Sequence, residues 1–156
     1  MSAPALAPTA PDTPPAPAGV IPALHYDRAA EIIAWLERAF GFEPQLVHAA
    51  PDGRVVHAEL RTGPGPDAGW LMVGSAEDSG LGVRPPRRLG GATASFYLVV
   101  GDPDAHHARA RAAGAEVVRA PADMPYGGRE YTARDPEGQL WSFGTYRPAP
   151  RPGGGR

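Results

Sequence analysis

The sequence predicts an α+β fold made of two βαβββ modules. Three observations carry that expectation. The order strand, helix, then three strand-like runs occurs twice, at a repeat of about seventy residues. A glycine closes each helix, Gly41 in the first copy and Gly114 in the second. A stretch without periodicity, residues 75–91, separates the copies and holds Pro85, Pro86 and four glycines.

Composition sets the limits first. The chain has 156 residues, so one domain of modest size is expected. A net charge of -2 argues against a surface for nucleic-acid phosphates. There is no cysteine, which excludes a thiol nucleophile, a disulfide framework and a thiolate metal site. All 15 basic residues are arginine, so Schiff-base chemistry on lysine is excluded. Residues 1–18 are Ala/Pro/Thr-rich and read as a disordered tail, lacking the basic start and apolar stretch of a signal peptide. Residues 148–156 read as a second tail. No apolar run approaches a membrane span, and a cytoplasmic location is expected. The folded part is then 19–147, with module one at 19–74, a linker or flap at 75–91 and module two at 92–147.

In module one, residues 20–26 form an apolar strand with one unpaired position at Pro22. Asp27 stands as a candidate N-cap before a helix over 28–40. Ala29, Ile32, Ile33, Leu36 and Phe40 recur at helical spacing and make its apolar face. Strands follow at 43–49, 55–62 and 69–74, separated by Pro/Gly/Asp turns. Alternation along the middle one puts Val56, Ala58 and Leu60 on one face and Val55, His57, Glu59 and Arg61 on the other.

Module two repeats the pattern. Residues 94–100 are a strand, and Asp102-Pro103 starts a helix that ends before Gly114. Strands follow at 116–120, 129–134 and 140–146. Between the last two lies Asp135-Pro136-Glu137-Gly138, where Pro136 presets one φ and Gly138 takes the left-handed position. In the last strand Trp141 and Phe143 share a bulky face suited to a core. Leu140, Ser142 and Gly144 share a small face suited to a cavity.

The duplicated pattern, with AFGFEP ending the first helix, HAELRTG at 57–63 and YGGREYTARDPEGQLWSFGTY at 126–146, resembles the vicinal oxygen chelate superfamily. Its members include glyoxalase I, bleomycin-resistance proteins, fosfomycin-resistance enzymes and extradiol dioxygenases, and the match is closest to the glyoxalase/bleomycin-resistance branch. The resemblance covers residues 20–147. It implies sheets curling into a half-open cleft with helices on the convex side, a ligand on the concave side, and a homodimer. It also implies metal donors on the first and fourth strands of each module, at positions that correspond to Ile21, Met72, Ser95 and Ser142. Isoleucine and methionine cannot serve a hard cation, and neutral serine hydroxyls are poor lone ligands. The expectation is therefore a member with no metal and no cofactor.

Candidate site residues follow from this frame. His57 and Glu59, two apart on one strand, project together as a polar handle or an acid–base pair, or else lie on a solvated strand face. A metal site from His57, Glu59 and His25 ranks below both. Trp70, Met72, Tyr97, Tyr126 and Tyr131 are candidates to line an aromatic cleft, with core or dimer contacts as the other reading. Ser95 and Ser142 join them as ligand-binding positions, and Arg129 after Gly127-Gly128 is a candidate anion clamp or a partner of a nearby carboxylate. His106 and His107 read as surface residues. No glycine pair precedes the Lys and Ser/Thr of a phosphate loop, and there is no serine-hydrolase elbow.

Two functions are carried forward. The first is a metal-independent protein that sequesters an aromatic or bulky metabolite or drug, as in antibiotic resistance, with no nucleic-acid or membrane partner. The alternative is an enzyme on the same scaffold, a glyoxalase-like isomerase or lyase or a dioxygenase, with His57 and Glu59 as its acid–base pair.

Overall fold

The computed structural model describes residues 19–78 and 80–149. The tails expected at 1–18 and 148–156 lie outside the described residues, apart from Pro148 and Ala149. Module one runs β1 (Ala23–Tyr26), α1 (Ala29–Phe40), β2 (Glu43–Ala49), β3 (Val55–Arg61) and β4 (Trp70–Ser75). A short 3-10 turn (Ala76–Asp78) and the single-turn helix α2 (Pro86–Leu89) lead to module two. That module comprises β5 (Ser95–Val99), α3 (Pro103–Ala112), β6 (Glu116–Asp123), β7 (Arg129–Arg134) and β8 (Leu140–Gly144).

Each module is a four-stranded mixed sheet, ordered β1-β4-β3-β2 and β5-β8-β7-β6. The first strand of each pairs in parallel with the fourth, and the remaining pairs are antiparallel. The fold is the expected α+β arrangement, with α1 and α3 on the convex side of the sheets and the concave side left open. β1 and β5 are edge strands, each with a hydrogen-bonded neighbour on one side.

One core joins the modules. Ile32, Leu36 and Phe40 of α1 meet Leu60 and Val73 of the first sheet and Tyr131, Trp141 and Phe143 of the second. The Phe40 ring packs 4.6 Å from Phe143 and 5.9 Å from Trp141, centroid to centroid. Side-chain burial on this scale is the main stabilising term. The apolar face read from helical spacing is the buried one, and Gly41 ends α1 at φ 73° as expected of a left-handed cap.

Polar links fasten the modules as well. Asp135 lies in the β7–β8 turn and accepts hydrogen bonds from the Tyr26 hydroxyl (2.7 Å) and the Trp141 indole N–H (3.1 Å). Its other oxygen accepts from the backbone N–H groups of Glu137 and Gln139, both at 3.0 Å. Glu137 reaches across to accept from the backbone N–H groups of Asp27 (2.7 Å) and Arg28 (2.8 Å). The first turn of a helix has unpaired N–H groups and a positive dipole end, which a carboxylate satisfies. The sequence marks Asp27 as the candidate cap, but its side chain pairs instead with Arg88 at 3.0 Å. The other end of α1 is covered from module two, where the Arg109 guanidinium donates to the carbonyls of Arg38 and Glu37, both at 2.7 Å. Between the modules, the backbone N–H of Arg87 in α2 donates to the Glu137 carbonyl (3.0 Å), so α2 is tied to the same turn.

Two expectations about side chains are corrected. In β3 it is Val55 that is buried, while Val56 is 54% exposed. The register shifts between His48 and Ala49, where His48 faces His57 but Ala49 faces Val55. That bulge inserts one residue and swaps the faces upstream of it. His106 is not a surface residue. Its ring packs 4.2 Å from Phe143, its Nδ1 lies 2.6 Å from the Tyr131 hydroxyl and its Nε2 lies 3.1 Å from the Phe40 carbonyl. A carbonyl can only accept, so Nε2 carries the proton and Nδ1 accepts from the tyrosine. In the neutral ring the phenol hydroxyl donates to Nδ1, and a proton on Nδ1 would require that hydroxyl to turn away.

Burial holds the His106 pKa below its ordinary value of 6.5; the Phe40 carbonyl opposes this and the Arg109 charge adds to it. The unfolded chain then binds this proton more readily than the native one. The contribution is complete above pH 6.5 and is lost as the pH falls from 6.5 toward the native value. His25 is lowered in the same sense, by burial and then by Arg84. Urea midpoints taken at pH 7.5 and pH 5.5 should therefore fall with acidification, and fall less in His106→Gln. Equal slopes in the two proteins would contradict the assignment.

Candidate functional site

A groove of about 950 Å³ opens at the seam between the modules. The loop from Thr62 to Gly69 and the start of β4 form one wall. β5 forms the other, and the buried core rings of Phe40 and Trp141 lie beneath the groove. Val20 and Pro22 lie at the approach to β1, and Arg109 and Arg147 also line the groove. Of the predicted ligand-binding residues, Trp70, Ser95 and Tyr97 come together here. The Trp70 ring is 39% exposed and carries the Arg61 guanidinium 5.0 Å from its centroid.

The contribution of β5 is unusual in that residues from both of its faces border the groove without a break, Ser95 to Val100. Phe96 and Leu98 also pack on the core, while Ser95, Tyr97 and Val99 point the other way and are exposed. A groove that touches both faces of a strand runs along its edge. Sequence alone does not mark Phe96 as a groove residue, because its place there depends on how the two modules sit against each other.

Met72, Ser142 and the His57–Glu59 pair lie elsewhere on the concave sheet faces. Met72 sits opposite Ala23 and Glu59 across the first sheet. His57 and Glu59 project together, as alternation requires, with Nε2 and Oε1 3.0 Å apart and both side chains over a third exposed. The His25 ring lies over Gly74, 3.4 Å from where a side chain there would begin, and its Nδ1 is buried with no partner.

On the second sheet, the Ser142 hydroxyl shares a hydrogen bond with the Thr132 hydroxyl at 2.8 Å. Next to them Glu130 is buried and bonded to Arg119 and to the Tyr126 hydroxyl (2.8 Å). The Tyr97 hydroxyl sits over Gly144 beside Glu130, 2.6 Å from the point a Cβ would occupy.

Arg129 does not point at a ligand site. It forms a two-bond fork with Asp104 (2.6 and 3.0 Å) and a further bond to Asp123 (3.1 Å), which raises its pKa further above the ordinary arginine value. The sequence points to a nearby carboxylate as its partner, with Glu130 adjacent; the partners are instead Asp104 and Asp123, while Glu130 pairs with Arg119. Tyr131 is in the core and not on a cleft wall, because β7 alternation aligns it with Ala133. Its phenol is pushed up by burial.

The four positions that correspond to metal donors do not suit a divalent ion. Ile21 and Met72 offer no oxygen or nitrogen side-chain donor, and Ser95 and Ser142 are neutral hydroxyls. Among the described residues, no group of three or more His, Asp or Glu is placed to hold a metal ion. No helix among them is long and apolar enough to cross a membrane.

Comparison with known proteins agrees with this architecture. The chain is 34% identical over 125 residues to an uncharacterised protein of Mycobacterium tuberculosis, covering 79% of this chain and 71% of that one. It is also 34% identical over 97 residues to a putative glyoxylase, CFP32, of Mycobacterium bovis, but these span 36% of that protein's length. The crystal structure of TioX from Micromonospora sp. ML1 superposes with a TM-score of 0.64 at 31% identity, covering 84% of this chain and all of that one. Glyoxalase I from Zea mays gives a TM-score of 0.63 at 16% identity, a likeness of fold alone, and 45% of that chain is covered. Residues 22–143 match the profile of the Glyoxalase/Bleomycin resistance protein/Dioxygenase superfamily, and with that span and those relatives the chain belongs to it.

Proposed function

We infer that the protein is a metal-independent binder that sequesters an aromatic or otherwise bulky small molecule in the seam groove, and that it does so as a homodimer in the cytoplasm. The observation carrying this reading is the groove itself. Its volume suits a drug-sized ligand, and the exposed rings of Trp70 and Tyr97 supply apolar, polarisable surface around it. The donor set at the superfamily's metal positions supports the same reading. Apolar burial would supply affinity, and the hydroxyls of Ser95 and Tyr97 would fix orientation.

Titrating hydrophobic compounds against tryptophan emission tests this, because Trp70 and Trp141 both border the groove. A bound flat aromatic should change the emission, and Trp70→Ala should weaken its binding about tenfold or more. The reading fails if no compound in a broad hydrophobic panel perturbs the emission. Elemental analysis is a second check: stoichiometric Zn, Ni, Mn or Fe in the purified protein would overturn it.

A second reading rests on the 3.0 Å bond between His57 and Glu59. A carboxylate that orients an imidazole is the arrangement of a general base, and this pair faces the open side of the first sheet. On that reading the protein is a glyoxalase-like isomerase or lyase that uses His57 to move a proton. His57→Ala would then keep ligand affinity and lose turnover. A pure binder would show no turnover in either protein.

A further inference from the structure

The edge of β5 determines what kind of molecule the groove is built to hold. Alternate residues of a strand direct their N–H and C=O groups to opposite edges. The N–H of Val100 donates to the Gly144 carbonyl at 2.9 Å, so the even-numbered residues Phe96, Leu98 and Val100 face β8. Ser95, Tyr97 and Val99 consequently direct their backbone groups to the other edge. Among the described residues no strand pairs there, and the groove runs along it. An unpaired strand edge presents a row of N–H and C=O groups, and a wall made of such groups is complementary to a row of amides.

Charge adds a direction. Arg147 lies just beyond β8, at the end of β5 where Val99 pairs with Gly144, and it borders the groove. No hydrogen bond or ion pair engages its side chain among the described residues. A guanidinium with no partner among the described residues matches a carboxylate at that end.

We propose that the groove takes a peptide-like ligand, a compound with consecutive amides and a terminal carboxylate, which adds as a strand along β5 with its carboxylate at Arg147. The amides pair with the backbone of Ser95, Tyr97 and Val99, and the ligand's alternate side chains meet Trp70 and the apolar groove lining. The ligand strand runs parallel to β5, since its carboxyl end lies where β5 ends. This rests on the reading of the groove as a ligand site and narrows the class of molecule it selects.

The test uses the full chain and an N-acetylated Val-Ala-Val-Ala acid, followed by tryptophan emission and calorimetry. Two isomers of the probe carry N-methyl groups on alternate amides, in opposite registers. A C-terminal amide version and an amide-free aromatic anion, 1-anilinonaphthalene-8-sulfonate, complete the set.

The proposal expects the parent peptide to bind. One N-methyl isomer should bind like the parent and the other about tenfold or more weaker. Hydrogen exchange at the Tyr97 and Val99 amides should slow on binding, with Leu98 unchanged. The C-terminal amide should lose affinity in the wild type but not in Arg147→Ala. Equal binding of both N-methyl isomers, or unchanged exchange at Tyr97 and Val99, overturns the proposal. Binding of the naphthalene sulfonate without the peptide also overturns it, but leaves the groove as a ligand site. Binding of neither removes both readings.

Discussion

Asp135→Ala is expected to destabilise the protein by about 4 kcal/mol, which is a large part of the stability of a domain this size. The carboxylate is 1% exposed and receives four hydrogen bonds, two from backbone N–H groups and two from the side chains of Tyr26 and Trp141. Alanine leaves all four donors without an acceptor in a space too tight for ready access by water. Each stranded buried donor costs about 1 to 3 kcal/mol, and relaxation of the turn recovers part of the sum. Burial pushes this carboxyl group up from its ordinary pKa, against the pull of Tyr26, Trp141 and the two backbone donors. The charge itself is thus costly, and Asp135→Asn, which keeps the shape and one acceptor oxygen, should lose about half as much. Urea unfolding with an unchanged m-value measures both. An alanine variant within about 1 kcal/mol of the wild type would show that Tyr26 and Trp141 find other partners.

The same turn shows how far the sequence could be read. DPEG was legible as a turn because the Pro and Gly conformational requirements are local. Its work as a fastening was not legible, since Asp135 and Glu137 act on residues more than a hundred positions away. Asp27 looked like the cap of α1 because it precedes the helix, yet the carboxylate that takes the role comes from the other module. Strand alternation told the faces apart where pairing is regular: Ala58 and Leu60 inward, His57 and Glu59 outward, Trp141 and Phe143 inward. It failed at Val55 and Val56, because a bulge is a property of the pair of strands and leaves no mark in one of them.

The candidate site was legible in part for the same reason. Trp70, Ser95 and Tyr97 border the groove because each lies on the outward face of a strand at the seam. Tyr131 stays open between cleft wall and core in the sequence because an aromatic residue suits either face of a strand, and only its neighbours decide which. The loop from Thr62 to Gly69 forms a wall that no local pattern marks, and the unpaired edge of β5 follows from sheet order. His106 carried a surface-like signal on a polar helix, but its position one turn along α3 brings it against Phe40 and Phe143.

Gly144→Ala is expected to cost about 2 to 3 kcal/mol and to weaken ligand binding together. A Cβ at this position would lie 2.6 Å from both the Glu130 Cβ and the Tyr97 hydroxyl, and 3.0 Å from the Arg129 carbonyl. The carbonyl belongs to the paired strand β7 and has little room to move, and Glu130 is held by Arg119 and Tyr126. Tyr97 is the neighbour able to give, and its displacement would deform the wall of the groove. The double variant Gly144→Ala with Tyr97→Phe separates the contributions. Removing the hydroxyl takes away one of the three close contacts, so it should restore part of the stability that alanine costs, whereas Tyr97→Phe alone loses the hydrogen bond from the Tyr146 backbone. If the double variant is no more stable than Gly144→Ala, the strain resides between β8 and β7, and the Tyr97 wall is set by its own packing on β5. If Gly144→Ala alone is as stable as the wild type and binds as tightly, the close approach of Tyr97 to β8 does not constrain the groove.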